Sequence, residues 1–121
     1  MTQLIIPDFA TLLAPYIVAI PQPWRPAFLA RLERSAADRY RGWAEAMPEY
    51  REPLLACAAR EDDIAARIEQ VLPAANEQDI ETINNTIEPA RDCYYAAFAT
   101  LPLADQLSIQ ANAERQGALA W

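Results

Sequence analysis

Hydrophobic residues recur along most of the chain at alternating three- and four-residue steps, the spacing that places them on one face of a helix. The most regular run lies between Pro53 and Pro73. Pro53 suits the first turn of a helix, where its missing N–H removes no bond, and Pro73 ends the run. The spacing predicts one continuous helix over 52–72. Its apolar face consists of Leu54, Cys57, Ala58, Ile64, Ala65, Ile68, Val71 and Leu72.

The N-terminal part of the chain has the same spacing, but prolines interrupt it. Residues 8–20 predict a short helix capped by Asp8 that bends or restarts at Pro15, since an interior proline costs about 3 kcal/mol. Three further prolines follow, and each disfavours helical backbone at the residue before it. Residues 21–26 are therefore expected to form a stiff, extended connector that tucks in Trp24.

Residues 26–47 predict either one helix or two. The segment Ser35-Ala-Ala-Asp38 is typical of a helix start, so the stretch can divide there. In a continuous helix Glu33 joins the apolar face, whereas after a break it is an ordinary solvated acid. We favour the break.

Two more helices follow the central one. Asn76 begins a capping sequence for a helix over 77–100, and the apolar stripe of that helix continues in phase past Pro89. A kinked helix or two nearly collinear helices are expected there. Pro102 then starts a last helix that reaches Trp121.

The whole pattern predicts an all-α fold, an up-and-down helical bundle of about four main helices with a short Pro-interrupted N-terminal helical segment. A chain of 121 residues, just over half of them apolar, is enough for one domain with a hydrophobic core. Within that domain we expect residues 1–25 to pack on the bundle formed by 26–121.

Charge and composition exclude several classes of function. The net charge is −7 and there is no basic cluster, which argues against nucleic acid as a partner. The absence of His excludes imidazole bases and the common zinc sites, and the absence of Lys excludes Schiff-base and P-loop chemistry. The composition therefore leans away from an enzyme. Arg as the only basic residue favours a bacterial source.

Cys57 and Cys93 match no zinc, redox or haem spacing. Two reduced core thiols are expected, with a disulfide as the minor alternative. No apolar segment approaches the ~20 residues that span a bilayer, and the N-terminus lacks the features of an export signal. We expect a soluble, cytoplasmic protein with no membrane partner and no cofactor.

Two acids interrupt the apolar faces. Glu61 falls in the middle of the stripe of the central helix, and Glu114 falls near the centre of the last stripe, one turn after Gln110. An unpaired buried carboxylate is costly, so each acid must be ion-paired, hydrogen-bonded or protonated. The simplest interpretation is structural, with a basic or hydroxyl group from a neighbouring helix reaching the acid. The candidate partners are Arg60, Arg67, Arg115, Tyr40 and Tyr94.

A functional interpretation places a site between the helices. Inward-facing acids on facing helices resemble the ferritin-like di-iron bundles in architecture over 26–121, although the Glu-x-x-His motif of that family is absent. The resemblance implies an oxygen-only site for Mg²⁺, Ca²⁺ or Mn²⁺ at Glu61 and Glu114. The other form of this interpretation is a small-ligand pocket. Its candidate ligand-binding residues are Glu61, Glu114, Gln110, Tyr40, Trp43 and Tyr94, with Cys57 and Phe98 also in the wall.

The leading hypothesis is protein interaction. Leu55, Ile109 and Leu119 fall off the main stripes and have little use in a monomeric bundle, which indicates a second buried face. A homodimer is therefore expected, with a different protein as the other candidate partner. The predicted function is a self-associating interaction or structural module, and the metal or ligand site is the alternative.

Overall fold

The computed structural model describes residues 5–71 and 77–120, which form helices and no strand. The predicted all-α bundle is confirmed. None of the described helices has the length and apolar character needed to cross a membrane. The predicted cap at Asn76, the stop at Pro73 and the end of the last helix at Trp121 lie outside the described residues. The five helices are α1 (Phe9–Val18), α2 (Arg25–Ala46), α3 (Arg51–Val71), α4 (Glu77–Ala96) and α5 (Leu103–Ala120).

The start of α1 is the predicted one. The Asp8 carboxylate accepts hydrogen bonds from the Thr11 N–H at 3.4 Å and from its hydroxyl at 2.8 Å. Pro15 lies inside α1 and the helix does not restart there, because one proline removes only one hydrogen bond. The predicted extended connector is wrong. Gln22–Trp24 form a turn of 3₁₀ helix that leads directly into α2, since the fixed φ of proline suits that turn too.

The favoured break in the second helix is also wrong, because α2 is continuous from Arg25 to Ala46. Ser35 is buried within it, and its hydroxyl donates to the Arg31 carbonyl at 3.2 Å. The Ser35 hydroxyl therefore bonds to a carbonyl of the preceding turn and does not cap a new helix. Because α2 is continuous, Glu33 stays in register with the inward face of this helix.

α4 passes through Pro89 without interruption and ends at Ala96, short of the predicted limit. Pro89 has no N–H to offer the carbonyl of Asn85, one turn earlier. Both residues are exposed, so water can bond to that carbonyl.

Successive helices alternate in direction. α2 and α3 are antiparallel. Arg34 binds Glu69 at 2.8 Å, whereas Arg41, which lies later in α2, binds Asp62, which lies earlier in α3. The same comparison shows that α2 runs parallel to α4 and antiparallel to α5. The pairs that set these directions are Arg31 with Asn84 and Tyr95 with Ser35 for α4, and Tyr40 with Glu114 and Trp43 with Gln106 for α5.

An aromatic core joins α1, α2, α4 and the turn that follows α4. Phe98 is fully buried, and its ring centroid lies 5.3 Å from that of Tyr94, 5.8 Å from that of Trp43 and 6.3 Å from that of Phe9. Tyr40 packs edge-on against Trp43 at 5.4 Å. We call Phe9, Tyr40, Trp43, Tyr94 and Phe98 the aromatic core. A smaller apolar cluster contains Ile20, Phe28, Ile83 and Ala90.

Candidate functional site

A cavity of about 370 Å³ lies between α1, α2, α3 and α5, with Tyr94 of α4 in its wall. Most of its surface is apolar, and we call it the acid cavity because its polar wall is dominated by carboxylates. No Arg is among the described residues that line it. The apolar wall includes Phe9, Leu13, Ile17, Leu29, Leu32 and Ile64, and the polar wall consists of Glu33, Glu61, Gln110, Glu114 and Gln116.

Glu61 lies at the inner end of the polar wall. It follows Leu54 and Ala58 and precedes Ala65 on the buried face of α3, and it is 4% exposed, in agreement with its position in the stripe. Its Oε2 atom is buried and accepts no hydrogen bond from the described residues. A carboxylate oxygen in that position is strongly destabilised because it has lost water and gained no donor.

Protonation of Glu61 removes most of this energetic penalty. Burial is the main cause that raises the pKa of Glu61 to about 10, and the neighbouring carboxyl groups of Glu33 and Glu114 raise it further. At neutral pH Glu61 is thus a neutral carboxylic acid. Its proton can be donated to either neighbour, which supplies the hydrogen bond that a carboxylate at this position cannot make.

Glu114 keeps its charge. Burial alone would raise its pKa, but hydrogen bonds from Glu61, Tyr40 and Gln110 outweigh burial and hold the pKa below its usual value. The Tyr40 hydroxyl donates to Glu114 Oε1 at 2.8 Å, and Gln110 Nε2 donates to the same oxygen at 3.2 Å. Tyr94 in turn donates to Gln110 Oε1. Contrary to its place in the stripe, Glu114 is exposed as a residue, and it forms the outer rim of the cavity.

Only some of the side chains that were predicted to pair with Glu61 and Glu114 do so. Tyr40 binds Glu114 directly, and Tyr94 reaches it through Gln110. In the described part of the chain no Arg forms an ion pair with Glu61 or Glu114. Arg67 binds Asp63 at 2.9 Å, and Arg60 donates to Cys57 Sγ at 3.2 Å.

Most of the predicted ligand-binding residues meet around the acid cavity. Glu61, Glu114, Gln110 and Tyr94 line it, and Tyr40 lies behind Glu114. Trp43 does not reach it and instead donates through Nε1 to Gln106 at 2.8 Å. Of the other predicted wall residues, Phe98 is in the aromatic core and Cys57 is a free, half-buried thiol. Cys93, the second predicted thiol, is also free and half-buried.

Two polar residues of the lining, Glu33 and Gln116, were not among the predicted site residues. Glu33 would have been found by extending α2 through Ser35 without a break. Gln116 accepts from the Phe9 N–H at 2.8 Å and donates to the Pro7 carbonyl at 2.9 Å, so it ties the start of α1 to α5. No spacing in the sequence indicates that contact, because it depends on how distant helices pack.

The donor set offers little to a metal ion. Across residues 5–71 and 77–120 no group of three or more His, Cys, Asp or Glu side chains is arranged to hold one. Comparison of the chain with protein-family models, with curated proteins and with solved structures gives no match. The geometry of the acid cavity is therefore the basis for assigning a function.

Proposed function

We propose that this protein binds a small amphipathic amine, with the apolar body of the ligand in the acid cavity and its ammonium group against Glu61 and Glu114. The observation that carries the proposal is the buried Oε2 of Glu61, which accepts no hydrogen bond from the described residues, at the wall of an apolar cavity.

The size and lining of the cavity suit a small organic molecule. Its volume of about 370 Å³ falls within the range of roughly 300 to 1,000 Å³ that is common for ligand sites. Aliphatic side chains from α1 and α2 form much of the wall, so a flexible apolar chain gains free energy by leaving water there. A ligand without an apolar part would leave that wall unused.

Charge selects the head group. Three carboxyl groups, from Glu33, Glu61 and Glu114, face the cavity, and no basic side chain lines it. An ammonium ion brings three N–H donors and a positive charge, so it can bond to Glu61 Oε2 and Glu114 together. A carboxylate ligand would be repelled, and an alcohol offers only one donor. The expected order of affinity is amine, then alcohol, then carboxylate.

Gly117 supports occupancy of the cavity. It lies inside α5, where a glycine costs about 1 kcal/mol relative to alanine. A Cβ atom at this position would meet nothing within 4 Å, so packing within the described chain does not require the glycine. Gly117 also lines the acid cavity, and we take the space beside it as room for the ligand.

The test compares three ligands with the same apolar chain, namely hexylamine, hexanol and hexanoate. Calorimetric titration near neutral pH should give the tightest binding for hexylamine. Lengthening the amine from butyl to hexyl should tighten binding about three- to fourfold per methylene. Equal affinities for the amine and the alcohol would contradict the proposal, because the carboxyl groups would then play no part.

A proton readout separates a binding acid from a merely structural one. Because Glu61 carries a proton in the free protein, an incoming ammonium group should expel about one proton per ligand. Titrations in two buffers of different ionisation enthalpy measure this number. Glu61→Gln should bind hexylamine at least tenfold more weakly and release no proton, whereas Glu88→Gln, at an exposed site on α4 away from the cavity, should behave as the wild type.

The metal site expected from Glu61 and Glu114 is the competing proposal for the same cavity. Thermal melts with Mn²⁺ and with EDTA test it, since a metal that binds only the folded chain must raise Tm. A rise with Mn²⁺ that EDTA reverses, together with no response to hexylamine, would replace the amine by a metal.

We also retain the proposal of a homodimer in a reducing compartment such as the cytoplasm. Leu55 supports self-association because it is 37% exposed on α3, whereas Ile109 is 1% exposed and belongs to the core, and Leu119 lies outside the described side chains. Light scattering at two protein concentrations tests the dimer, and a constant monomer mass would exclude it. The two free thiols support the compartment, and reagent titration should count both as reactive after unfolding without reductant.

A further inference from the structure

Arg39 of α2 lies against three aromatic rings and forms no ion pair with an acid among the described residues. Its Cζ atom lies 4.7 Å from the ring centroids of Tyr95 and Phe98 and 5.4 Å from that of Trp43. Ring faces attract the cation but cannot replace the in-plane acceptors that a guanidinium group normally has. Its Nε is buried and has no hydrogen-bond partner within the described part of the chain, where no carboxylate forms an ion pair with Arg39 either.

Arg39 opens onto a second cavity, of about 280 Å³, which is separate from the acid cavity. We call it the Arg39 groove, and it is lined by Arg39, Gly42, Trp43, Ala46, Tyr95 and Leu103, with Asp38 and Gln106 at its polar edge. Burial lowers the pKa of Arg39, but a guanidinium group stays protonated in proteins. The charge therefore remains in the groove and requires an acceptor.

Gly42 leaves space beside that charge. It lies in the interior of α2, and a Cβ atom there would meet nothing within 4 Å. The chain contains only two glycines, and each lines one of the two cavities. In both places glycine weakens a helix without relieving any contact within the described residues.

We propose that the Arg39 groove is a second binding site, which takes a planar aryl carboxylate with its carboxylate on Arg39 and its ring against Trp43 and Tyr95. A carboxylate matches the fork of one guanidinium group, whereas phosphate sites usually combine several donors. The flat aromatic walls favour a ring over an aliphatic chain. This site is independent of amine binding in the acid cavity.

Asp38 is the residue that opposes an anion here. Its side chain is 66% exposed and is held by Arg41 at 2.8 Å, so solvent and that ion pair weaken its repulsion. Asp38→Asn should therefore tighten the binding of a carboxylate only about two- to threefold.

The experiment titrates the full chain with benzoate, with benzamide as the uncharged match and with benzylamine as the cation. Nuclear magnetic resonance follows the Trp43 indole N–H and the Arg39 Nε–H. Benzoate should shift both signals saturably, and benzamide should bind at least tenfold more weakly. No saturable shift with benzoate, or equal binding of benzamide, would overturn the proposal and leave Arg39 as a link between α2 and α4.

Filling variants of the two glycines provide the matched control. Gly42→Leu should abolish benzoate binding and leave hexylamine binding intact, and Gly117→Leu should do the reverse. Arg39→Gln should lose at least tenfold in benzoate affinity, but the glycine pair decides the question if that variant unfolds. Benzoate binding that survives Gly42→Leu would place the ligand elsewhere and overturn the proposal. Failure of hexylamine to bind would contradict only the proposal for the acid cavity and would leave the proposal for the Arg39 groove unchanged.

Discussion

The acid cavity and the Arg39 groove both lie against α2 and α5, yet one contains a buried acid and the other a half-buried base, and neither group forms an ion pair within the described residues. In the acid cavity Glu61 has a buried oxygen and no donor, and in the groove Arg39 has a buried nitrogen and no acceptor. The chain contains 17 acidic and 10 basic residues, but the fold does not bring Glu61 and Arg39 together. Each group therefore lacks a protein partner for its buried atom within the described residues, and the amine and the aryl carboxylate are the ligands that we propose for them.

The two groups respond differently because only one of them can change its charge. Glu61 accepts a proton and becomes neutral, which removes most of the penalty of burial. Arg39 cannot lose its proton and is stabilised by three ring faces instead. The first region is thus sensitive to pH and loosely packed, whereas the second is insensitive to pH and rests on a tightly packed core.

Truncating the aromatic core should give the largest loss of stability. Phe98→Ala removes a fully buried ring that contacts Phe9, Trp43 and Tyr94 as well as Arg39, so we expect a loss of about 3 to 5 kcal/mol. Leu29→Ala, in the half-buried wall of the acid cavity, should cost only about 1 to 2 kcal/mol because fewer contacts are lost there. Urea denaturation measures both, and equal losses would remove the contrast in packing.

Replacing Glu61 by a side chain that cannot ionise should change the pH dependence of the free energy of unfolding. Its pKa is about 10 in the folded chain against an ordinary 4.5, so the folded state binds the proton more tightly than the unfolded state does. The stability that Glu61 contributes is full below its unfolded pKa and is lost as the pH rises towards its folded pKa. Glu61→Gln removes this loss, which is about 1.4 kcal/mol per pH unit between the two pKa values, so the variant should gain about 4 kcal/mol on the wild type between about pH 5 and pH 8.

Denaturation curves of the wild type and Glu61→Gln at each pH measure that difference, and other titrating groups cancel because both proteins contain them. Glu88→Gln is the control, since an exposed acid should give parallel curves at every pH. A variant that is equally destabilised across the whole range would show that Glu61 is ionised and bonded in the folded state.

The sequence was informative about helices and about Glu61 because both depend on local spacing. The stripe of α3 located its buried face only in part, because Glu61 and its neighbours Ala58 and Ala65 are buried, whereas Ile64 and Val71 of the predicted stripe are exposed. The error at Ser35 came from a motif that is satisfied in two ways, since a serine hydroxyl can cap a new helix or bond to the carbonyl one turn earlier. That local choice also decided whether Glu33 would face the cavity.

Arg39 and Glu114 show what local spacing does not contain. Tyr95, at the end of α4, and Phe98, in the turn that follows, surround Arg39 with their rings, so this arrangement depends on how α2 packs against the end of α4. Glu114 has an inward position in the stripe of α5, but the opening of the cavity leaves it exposed at the rim. Both features arise from tertiary packing and would require the helix arrangement before they could be predicted.

Removing the Tyr40 hydroxyl should have a moderate effect. Tyr40→Phe leaves the ring in the aromatic core and removes the hydrogen bond to Glu114 Oε1, so a loss of about 1 kcal/mol is expected. The same change should raise the pKa of Glu114, because one of the bonds that favour its charged form is lost. Carboxyl resonances followed by pH titration report that pKa, and an unchanged value would show that Tyr40 does not hold the acid.

The smallest effects are expected from Gly42→Ala and Gly117→Ala, which compare the two regions without altering their charges. Both glycines have ordinary helical backbone and open space at the Cβ position, so each substitution should stabilise the chain by about 0.5 to 1 kcal/mol. Thermal melts measure the gain, and destabilisation at either site would reveal a contact that requires glycine. If both variants gain stability while hexylamine or benzoate loses affinity at the altered cavity, the glycines are retained for the ligand and not for the fold.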